Sequence, residues 1–326
     1  MLRAAAALAA LTFLSACSGS DDTEPKKSFD FSVVTFNTGT TLGLPFDGDY
    51  TSDNAAITDQ YYGNGLSWKS VIADTRAFFD GLSPDVVGFQ EIFWPGDCAA
   101  IPAEDKAGYV CDGWKDGDPT VTEMVLGAGY QVACHQGHPD KCLGVKKSFG
   151  SIRGCTADLC LDGLDGAEVT GCGHGSRLGR AVVDLAAGGE ITVVNVHGNS
   201  GLAQADQDCR AQLFALVFED LGNGEPAANG ARNVILGDFN TDPGRNTDFD
   251  ESAQLVVKHV GDGKPFHFVT DVGPEAPPTY AGFFDIDHVI SDAFDGSCWT
   301  AGITDGHPAV TETVYFDHKP AVCTLK

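Results

Sequence analysis

The chain has 326 residues, of which 43% are hydrophobic, so it can bury a large core as one big domain or as two ordinary ones. Its formal net charge is −26, from 46 acidic and 20 basic residues. Such a surface repels polyanions, although salt screens the repulsion beyond a Debye length of about 8 Å. The composition therefore argues against tight, non-specific nucleic-acid binding. It leaves open the hydrolysis of a phosphodiester held by a metal ion.

The first residues have the pattern of an export signal. Arg3 precedes an apolar run over residues 4–13 that is too short to span a membrane, and residues 14–17 read Leu-Ser-Ala-Cys. This tetrapeptide resembles the bacterial lipoprotein box, whose cysteine is lipidated and becomes the first mature residue. We predict a lipoprotein signal peptide over residues 1–16 and a polar tether over residues 17–27, with an ordinary secretory signal as the alternative. The protein would then be exported and anchored to a membrane through Cys17, at the cell surface or in the periplasm.

The cysteine count agrees with export. Ten cysteines remain beside Cys17, and an even number in an exported protein predicts up to five disulfides. Seven of the ten lie between Cys98 and Cys172, so we expect a cross-linked, irregular insertion over about residues 95–175 within one domain of residues 28–326.

Zinc binding is the competing interpretation of this segment, because His135, His138 and His174 lie nearby in the sequence. No CxxC pair occurs, which disfavours a structural zinc site. Proximity along the chain suggests only the pair Cys155 and Cys160. We also expect that Cys298 and Cys323 join the last two strands.

The predicted elements alternate between strands and helices. In chain order, strands are predicted over residues 29–36, 85–89, 129–133, 143–147, 180–185, 190–196, 233–236, 283–290, 314–316 and 321–323. Helices are predicted over residues 68–80, with Ser67 as cap and Gly81 as terminator, and over about 204–221. A Gly188-Gly189 pair predicts a hairpin between the two strands that flank it.

The most informative stretch is residues 233–240, Asn-Val-Ile-Leu-Gly-Asp-Phe-Asn. Its branched apolar run predicts a strand buried on both faces, and Gly237 allows a tight turn. The period of an extended chain then places Asp238 and Asn240 on one side at the end of the strand. A carboxylate and an amide oxygen held side by side suit a hard divalent cation, although a plain Asp/Asn turn has the same pattern.

Other predicted strands also end in polar residues, and the set resembles the endonuclease/exonuclease/phosphatase superfamily with its deoxyribonuclease I-like fold. The residues that carry the resemblance are, in order, Thr35-Phe36-Asn37, Gln90-Glu91, Asn195-Val196-His197, Gly237-Asp238-Phe239-Asn240, Asp287 and Asp317-His318-Lys319-Pro320. It extends over about residues 29–326. It implies an α/β fold, a four-layer sandwich of two mixed β-sheets packed face to face with helices on the outside.

The resemblance also implies roles for these residues. Asn37, Glu91 and Asp317 would bind a divalent ion, Mg²⁺ with Mn²⁺ or Ca²⁺ as alternatives, near the scissile phosphate. Asp238 and Asn240 would orient the attacking water. His318, oriented by Asp287, would act as base or phosphate contact, and His197 would protonate or stabilise the leaving oxygen. His288 is expected to pack rather than react.

The chemistry needs such residues independently of the resemblance. A phosphate ester repels hydroxide, so a metal ion must neutralise the developing charge, and imidazoles supply an acid and a base near neutral pH. The sequence thus predicts a monomeric, metal-dependent phosphoester hydrolase, a nuclease-like phosphodiesterase acting on nucleic acid or on a phospholipid headgroup.

Several departures leave the substrate open. Abasic-site nucleases of the family carry an acid where this chain has Gly39, and sphingomyelinases typically carry Asp where it has Trp94. Inositol phosphatases need a basic pocket. The candidate residues for such a pocket are Lys146, Lys147, Arg177 and Arg180, although four bases spread over 35 residues are more often surface residues. Sphingomyelinase- or phospholipase C-like and inositol-phosphate phosphatase activities therefore stand as alternatives, and a non-catalytic surface binding protein is the alternative of a different class.

Overall fold

The computed structural model describes residues 29–40, 61–62, 65–173, 177–311 and 316–326. The predicted signal peptide and tether lie outside these residues, as do His174 and residues 314–315 of a predicted strand. Within the described part of the chain, no helix combines the length and the apolar character needed to cross a bilayer.

The described residues contain thirteen strands and four α-helices. The strands are β1 Phe31–Asn37, β2 Val86–Gln90, β3 Tyr130–His135, β4 His138–Lys146, β5 Gly150–Ile152, β6 Leu159–Glu168, β7 Arg177–Leu185, β8 Glu190–His197, β9 Asn233–Asp238, β10 His267–Phe268, β11 Asp287–Ser291, β12 Gly296–Thr300 and β13 Ala321–Leu325. The helices are α1 Lys69–Leu82, α2 Val121–Leu126, α3 Gln204–Phe218 and α4 Glu251–His259.

The strands form two mixed sheets that β6 joins into one curled path. The first sheet has the order β12-β13-β1-β2-β4-β3-β6, and the second has the order β6-β7-β8-β9-β11-β10, with β5 beside β7. The first part of β6 runs parallel to β3, and its second part pairs antiparallel with β7. The pairs β1–β2 and β8–β9 are parallel, and most others are antiparallel.

Apolar residues fill three layers around these sheets. Side chains from both sheets, such as Val33 and Val86 against Val193 and Val289, form the central core. A second cluster lies between the first sheet and α1 and α2, and a third lies between the second sheet and α3 and α4. The predicted four-layer α/β sandwich is confirmed.

The two sheets are in close contact at Gly88 of β2 and Leu236 of β9. A Cβ atom added at Gly88 of β2 would lie 2.0 Å from the Leu236 side chain of β9. A side chain at this position would therefore require the Leu236 side chain to move.

Most predicted elements are present, with shifted bounds. Helix α1 continues through Gly81 and ends at Leu82, where Ser83 adopts the left-handed conformation and donates its N–H to Phe79 O. The strand predicted over residues 283–290 begins only at Asp287, because residues 279–284 fold into a turn in which the Phe284 N–H bonds Tyr280 O. Helix α3 ends three residues earlier than expected.

The cysteine-rich segment is more regular than expected. Four strands, β3 to β6, lie within it and belong to the sheets, so the irregular part is concentrated before β3. The boundaries of the predicted domain and insertion stay predictions.

Five disulfides account for all ten cysteines of the described residues. They are Cys98–Cys111, Cys134–Cys142, Cys155–Cys160, Cys172–Cys209 and Cys298–Cys323. Both expected pairs are present, although the last one joins β12 to β13 rather than residues 314–316 to β13. Because each of these ten cysteines is in a disulfide, none of them has a thiolate to bind zinc, and the cysteine-based zinc interpretation of this segment is wrong.

Candidate active site

The polar strand ends meet at one edge of the two sheets. Parallel pairing places Asn37, the last residue of β1, opposite Gln90 at the end of β2. In the second sheet, His197 at the end of β8 lies opposite Asp238 at the end of β9, and Asp287 of the antiparallel β11 lies opposite Asp238 on its other side. Because carboxyl ends of parallel strands share an edge, residues far apart in sequence converge here.

Asp238 is the centre of the cluster and is fully buried. Its Oδ2 accepts hydrogen bonds from Asn37 Nδ2 and from Asn240 Nδ2, each at 2.9 Å, and its Oδ1 accepts one from the Asn240 backbone N–H at 2.8 Å. Asn240 adopts a φ of 49°, in the left-handed region that asparagine tolerates better than most residues. That turn brings its side chain back to Asp238.

Glu91 faces Asp238 across the two sheets. Its φ of 53° is unusual for a residue of this type and turns the chain immediately after β2. Glu91 Oε1 lies 3.1 Å from Asn37 Nδ2 and 3.2 Å from His197 Nε2. Burial by itself would raise the pKa of Glu91, but the hydrogen bond and charge of His197, the hydrogen bond from Asn37 and the charge of His318 outweigh it and lower the pKa to about 2. The carboxylate is therefore ionised at neutral pH.

The second oxygen of Glu91 and the side-chain oxygen of Asn37 converge above Gly39. A Cβ atom added at Gly39 would lie 2.6 Å from Glu91 Oε2 and 3.1 Å from Asn37 Oδ1. Asp317 is adjacent, because its backbone N–H donates to Gly39 O at 3.4 Å. An ionised carboxylate and an amide oxygen around one point suit a hard cation, so the donor set fits the expected divalent ion.

His318 and Asp287 form a buried pair on the other side of Asp238. His318 Nδ1 lies 2.8 Å from Asp287 Oδ2, and His318 Nε2 lies 3.7 Å from Asp238 Oδ2. Burial opposes the charged imidazolium, but the carboxylates of Asp287 and Asp238 outweigh it and raise the pKa of His318 to about 10. The Thr279 hydroxyl accepts the Asp287 backbone N–H at 3.1 Å and so helps to hold the pair in position.

Burial also sets the protonation of Asp238. Desolvation and the neighbouring charge of Asp287 raise the pKa of Asp238 to about 6, although the charges of His318 and His197 act in the opposite direction. A carboxylate with a pKa just below neutrality can accept a proton from a bound water.

Asp238, Asp287 and His318 are also close enough to form a cation site, with ligand atoms within 4.8 Å of one another. This set differs from the predicted ligands Asn37, Glu91 and Asp317. The carboxylates of Asp287 and Asp238 favour the protonated form of His318, and an imidazolium has no lone pair to offer a cation. The oxygens above Gly39 remain the better match to a metal.

All eight predicted site residues thus lie in one connected group, while their individual roles stay predictions. The group comprises Asn37, Glu91, His197, Asp238, Asn240, Asp287, Asp317 and His318.

His288 is buried between the rings of Phe239 and Phe268, and burial lowers its pKa to about 4. It packs, as expected.

The lysines considered for a basic pocket do not line this site. Lys146 lies beside the start of β2, at the opposite end from Gln90, and its Nζ donates to Ser83 O. Lys147 donates to Ala128 O, and Arg180 donates to Ala227 O. Lys146, Lys147 and Arg180 therefore do not form a basic pocket here, because strand direction places the two lysines away from the polar strand ends.

Two further features of the site have no counterpart among the predicted roles. Gln90 Nε2 donates to Asn195 Oδ1 at 2.6 Å, and Asn195 Nδ2 donates to Phe89 O at 3.0 Å, so a buried amide pair ties the two sheets together beneath the site. The ring of Tyr280 lies 4.7 Å from that of His318. The amides are part of the quoted motifs and could have been noticed there, whereas no sequence pattern marks Tyr280.

A cavity of about 510 Å³ opens beside Glu91. It is lined by Tyr61, Tyr62, Glu91, Ile92, Phe93, Trp94, Asp97, Gly137, Pro139 and Asp140. A larger cavity of about 840 Å³ lies along α1 near Trp299 and contains none of the polar strand ends.

Comparisons with solved structures identify the fold of this chain. No family model matches the sequence, and no curated protein matches it. Solved structures do match. One is D. rerio TDP2 complexed with a single strand DNA product, which is 14% identical in sequence. Its alignment covers 91% of this chain and 99% of the TDP2 chain, with a TM-score of 0.50. Another is an endonuclease/exonuclease/phosphatase family protein from Bacteroides thetaiotaomicron, which is 15% identical. The alignment covers 91% of this chain and 94% of that protein, with a TM-score of 0.50.

ANGEL2, described as a 2′,3′-cyclic phosphatase, is 13% identical. The alignment covers 91% of this chain and 95% of the ANGEL2 chain, with a TM-score of 0.50. At these identities the likeness shows the fold alone. The chain has the endonuclease/exonuclease/phosphatase fold that the motif set implied.

Proposed function

We propose that this protein is a metal-dependent phosphoester hydrolase that acts on phosphodiesters. The observation that carries the proposal is the convergence of Glu91, Asp238 and His318 at one sheet edge, each in a protonation state suited to a different task. The fold supports it, since structures of the same fold include a protein bound to a DNA product and a cyclic phosphatase. The nuclease-like preference stays a prediction.

The residues that would hold the metal are Asn37, Glu91 and Asp317, with Mg²⁺ as the proposed ion and Mn²⁺ or Ca²⁺ as alternatives. The support is the convergence of the Glu91 and Asn37 oxygens above Gly39. When bound, such an ion neutralises charge that develops on the phosphate oxygens.

The side chains around the phosphate would divide the proton chemistry. Asp238 and Asn240 orient the attacking water, and Asp238 accepts its proton. His318 is protonated at neutral pH and donates a hydrogen bond to a phosphate oxygen, which favours the phosphate-contact alternative over the base. Asp287 holds the His318 ring in place. His197 Nε2, which faces Glu91 and Asp238, gives a proton to the leaving oxygen.

The proposal also includes location and assembly. Five disulfides support an oxidising compartment outside the cytosol. We propose an exported lipoprotein, anchored through Cys17, that works as a monomer.

The test is hydrolysis of bis-p-nitrophenyl phosphate with Mg²⁺, with Mn²⁺ and with EDTA. We expect metal-dependent turnover, abolished by EDTA, and losses of at least about 100-fold in Glu91→Gln and His318→Gln. Equal inactivity of the wild type and both variants over a panel of phosphoesters, together with absence of specific metal uptake, would leave the non-catalytic binding protein as the better account.

A further inference from the structure

Gln90 and Asn195 are buried amides whose hydrogen bond crosses from one sheet to the other beneath the site. We propose that they are positioning residues, which hold the proposed metal-binding residues of the first sheet in alignment with the proposed proton-transfer residues of the second. Loss of this amide pair would then slow the chemical step and leave metal affinity intact. The inference rests on the proposed function.

The site is divided between the two sheets. Of the proposed metal ligands, Asn37 ends β1, Glu91 follows β2 and Asp317 precedes β13, and these three strands are neighbours in the first sheet. His197 ends β8 and Asp238 ends β9, both in the second sheet. A reaction that uses both groups depends on the alignment of the sheets, because a displacement of about 1 Å can cost about 100-fold in rate.

The amide pair is adjacent to both groups along the chain. Gln90 immediately precedes Glu91. Asn195 lies two residues before His197 in β8, so the two side chains lie on the same face of the strand. Gln90 Nε2 donates to Asn195 Oδ1 at 2.6 Å. A shift of either amide would therefore move the backbone that carries Glu91 or His197.

The first sheet holds the Asn195 side chain at several points. Its Nδ2 donates to Phe89 O of β2 at 3.0 Å and to Cys142 O of β4 at 3.2 Å, and Phe89 and Cys142 face each other in these adjacent strands. Thr35 Oγ1 of β1 donates to Gln90 Oε1 at 3.4 Å. All four polar side-chain atoms of the amide pair thus have a partner, and a fully satisfied buried network favours one arrangement of its members.

The close contact of the sheets at Gly88 allows the short Asn195 side chain to reach across. A Cβ atom added at Gly88 would lie 3.3 Å from Asn195 Oδ1. Solvent does not substitute for these hydrogen bonds, since Gln90 is 0% and Asn195 2% exposed. Removing one partner therefore leaves a buried polar group unsatisfied, which makes the lost contact costly.

Other polar contacts between the sheets involve the functional side chains themselves. His197 Nε2 lies 3.2 Å from Glu91 Oε1, and Asn37 Nδ2 donates to Asp238 Oδ2 at 2.9 Å. In the proposed reaction these side chains also serve the metal ion and the phosphate. The amide pair is buried beneath them and has no such second task, so it can keep the alignment throughout turnover.

Kinetics and metal binding test the inference together. Asn195→Leu and Gln90→Met keep the approximate size of each side chain and remove the amide. We expect kcat on bis-p-nitrophenyl phosphate to fall by about 10- to 100-fold in each, with KM close to the wild-type value. The affinity for Mn²⁺, measured by calorimetry, should stay within about threefold of the wild type, because the proposed ligands all belong to the first sheet.

Two results of these measurements would count against the inference. Unchanged kcat in Asn195→Leu and Gln90→Met, in an enzyme that hydrolyses the ester, would overturn it and leave the proposed function intact. A loss of Mn²⁺ affinity as large as the loss of kcat would also overturn it, because the amide pair would then shape the metal site itself.

Asn233→Leu is the matched control. Asn233 is a buried asparagine of β9 that donates to Gly230 O at 2.8 Å, and it lies at the end of the strand away from Asp238. Asn233→Leu and Asn195→Leu should both lower the free energy of unfolding, but only Asn195→Leu should lower kcat. The double variant Gln90→Met/Asn195→Leu has two apolar partners, so it should recover part of the stability without recovering kcat. If kcat follows stability across these variants, the pair is structural only and the inference is wrong.

A measurement without turnover separates the inference from catalysis. Bound Mn²⁺ broadens the NMR signals of nearby nuclei with a steep dependence on distance, so the His197 ring signals report the alignment of the two sheets at the site. At equal Mn²⁺ saturation, the broadening should differ from the wild type in Asn195→Leu and match it in Asn233→Leu. Unchanged broadening in Asn195→Leu would overturn the inference whether or not the protein proves to be a hydrolase.

Discussion

His318 Nδ1 lies 2.8 Å from Asp287 Oδ2 in a place that solvent barely reaches. The pair fixes the ring orientation and leaves His318 Nε2 directed towards Asp238, 3.7 Å away. Because the buried carboxylates stabilise the imidazolium, His318 keeps its proton far above the usual pKa of histidine.

This pair predicts the pH dependence of hydrolysis. Asp238 must be ionised to accept a proton, so kcat/KM should fall as the pH drops through about 6, and His318 must be protonated to donate, so kcat/KM should fall as the pH rises towards about 10. In Asp287→Asn the loss of a negative charge lowers the pKa of His318. The alkaline limb should therefore move to lower pH, which a pH–rate series on both proteins measures. An unmoved limb would contradict the assignment of His318 as the donor.

Glu91 is predicted to dominate metal affinity. Glu91→Gln keeps the size of the side chain but removes the ionised oxygen above Gly39, so the affinity for Mn²⁺ should fall by at least about 10- to 100-fold. Isothermal titration calorimetry measures this directly. Glu104→Gln, an exposed acid outside the site, is the control and should bind Mn²⁺ as the wild type does.

Gly39 is predicted to be intolerant of any side chain. In Gly39→Ala the new Cβ would lie 2.6 Å from Glu91 Oε2, so the carboxylate must move, and a displacement of this order can cost about 100-fold in rate. Gly129→Ala is the matched control, because a Cβ there meets nothing within 4 Å. Steady-state kinetics and Mn²⁺ titration should separate the two variants. Wild-type values in Gly39→Ala would refute the proposed metal position.

The buried Asp285 carboxyl group is predicted to make the free energy of unfolding fall as the pH rises. Burial and the charges of Asp242 and Asp287 raise its pKa from 3.8 to about 8, so between these values the folded state holds a proton that the unfolded state has lost. The contribution of Asp285 to the free energy of unfolding is complete below pH 4. It is lost as the pH rises through about 8, and the free energy of unfolding falls by up to about 1.4 kcal/mol per pH unit on the way. Asp285→Asn removes the dependence. Its free energy of unfolding relative to the wild type should therefore rise steadily from pH 4 to pH 8 in denaturant titrations.

The disulfides are predicted to differ in their contribution to stability. Cys172–Cys209 closes a loop with a sequence separation of 37 and links the segment after β6 to α3, whereas Cys155–Cys160 spans a separation of 5. Chain entropy alone gives about 4 kcal/mol for the first and about 2 kcal/mol for the second. Double alanine variants compared by chemical denaturation test the order, and a larger loss for the short loop would contradict it.

Much of the fold could be predicted because the apolar patterns are strong. Residues 233–236 are apolar or amide throughout and form a strand buried on both faces, and the stripe of residues 68–80 forms α1. The start of β11 could not be predicted, because residues 283–286 have the composition of a strand. Turn contacts with Tyr280 prevent their pairing. Helices α2 and α4 are too short to show several turns of apolar periodicity, so the sequence does not predict them.

The site was predicted as a set of residue types at strand ends, and their proximity follows from strand pairing that a local pattern does not specify. Asn37 donates to Asp238, which lies 201 positions further along the chain, and no periodicity contains that relationship. The same reason applies to Lys146, one of the candidate residues for a basic pocket. The predicted strand over residues 143–147 was found, but its antiparallel pairing with β2 directs Lys146 to the end away from Gln90.

The sequence by itself determined the chemical types available to this protein, the strands that present them and the pairing of two disulfides, since these depend on local composition and spacing. Only the tertiary structure decided protonation, the convergence of the oxygens above Gly39 and the character of the cavity beside Glu91. The physical reason is that pKa values and ligand geometry depend on burial and on charges a few ångströms away, and those neighbours come from distant parts of the chain.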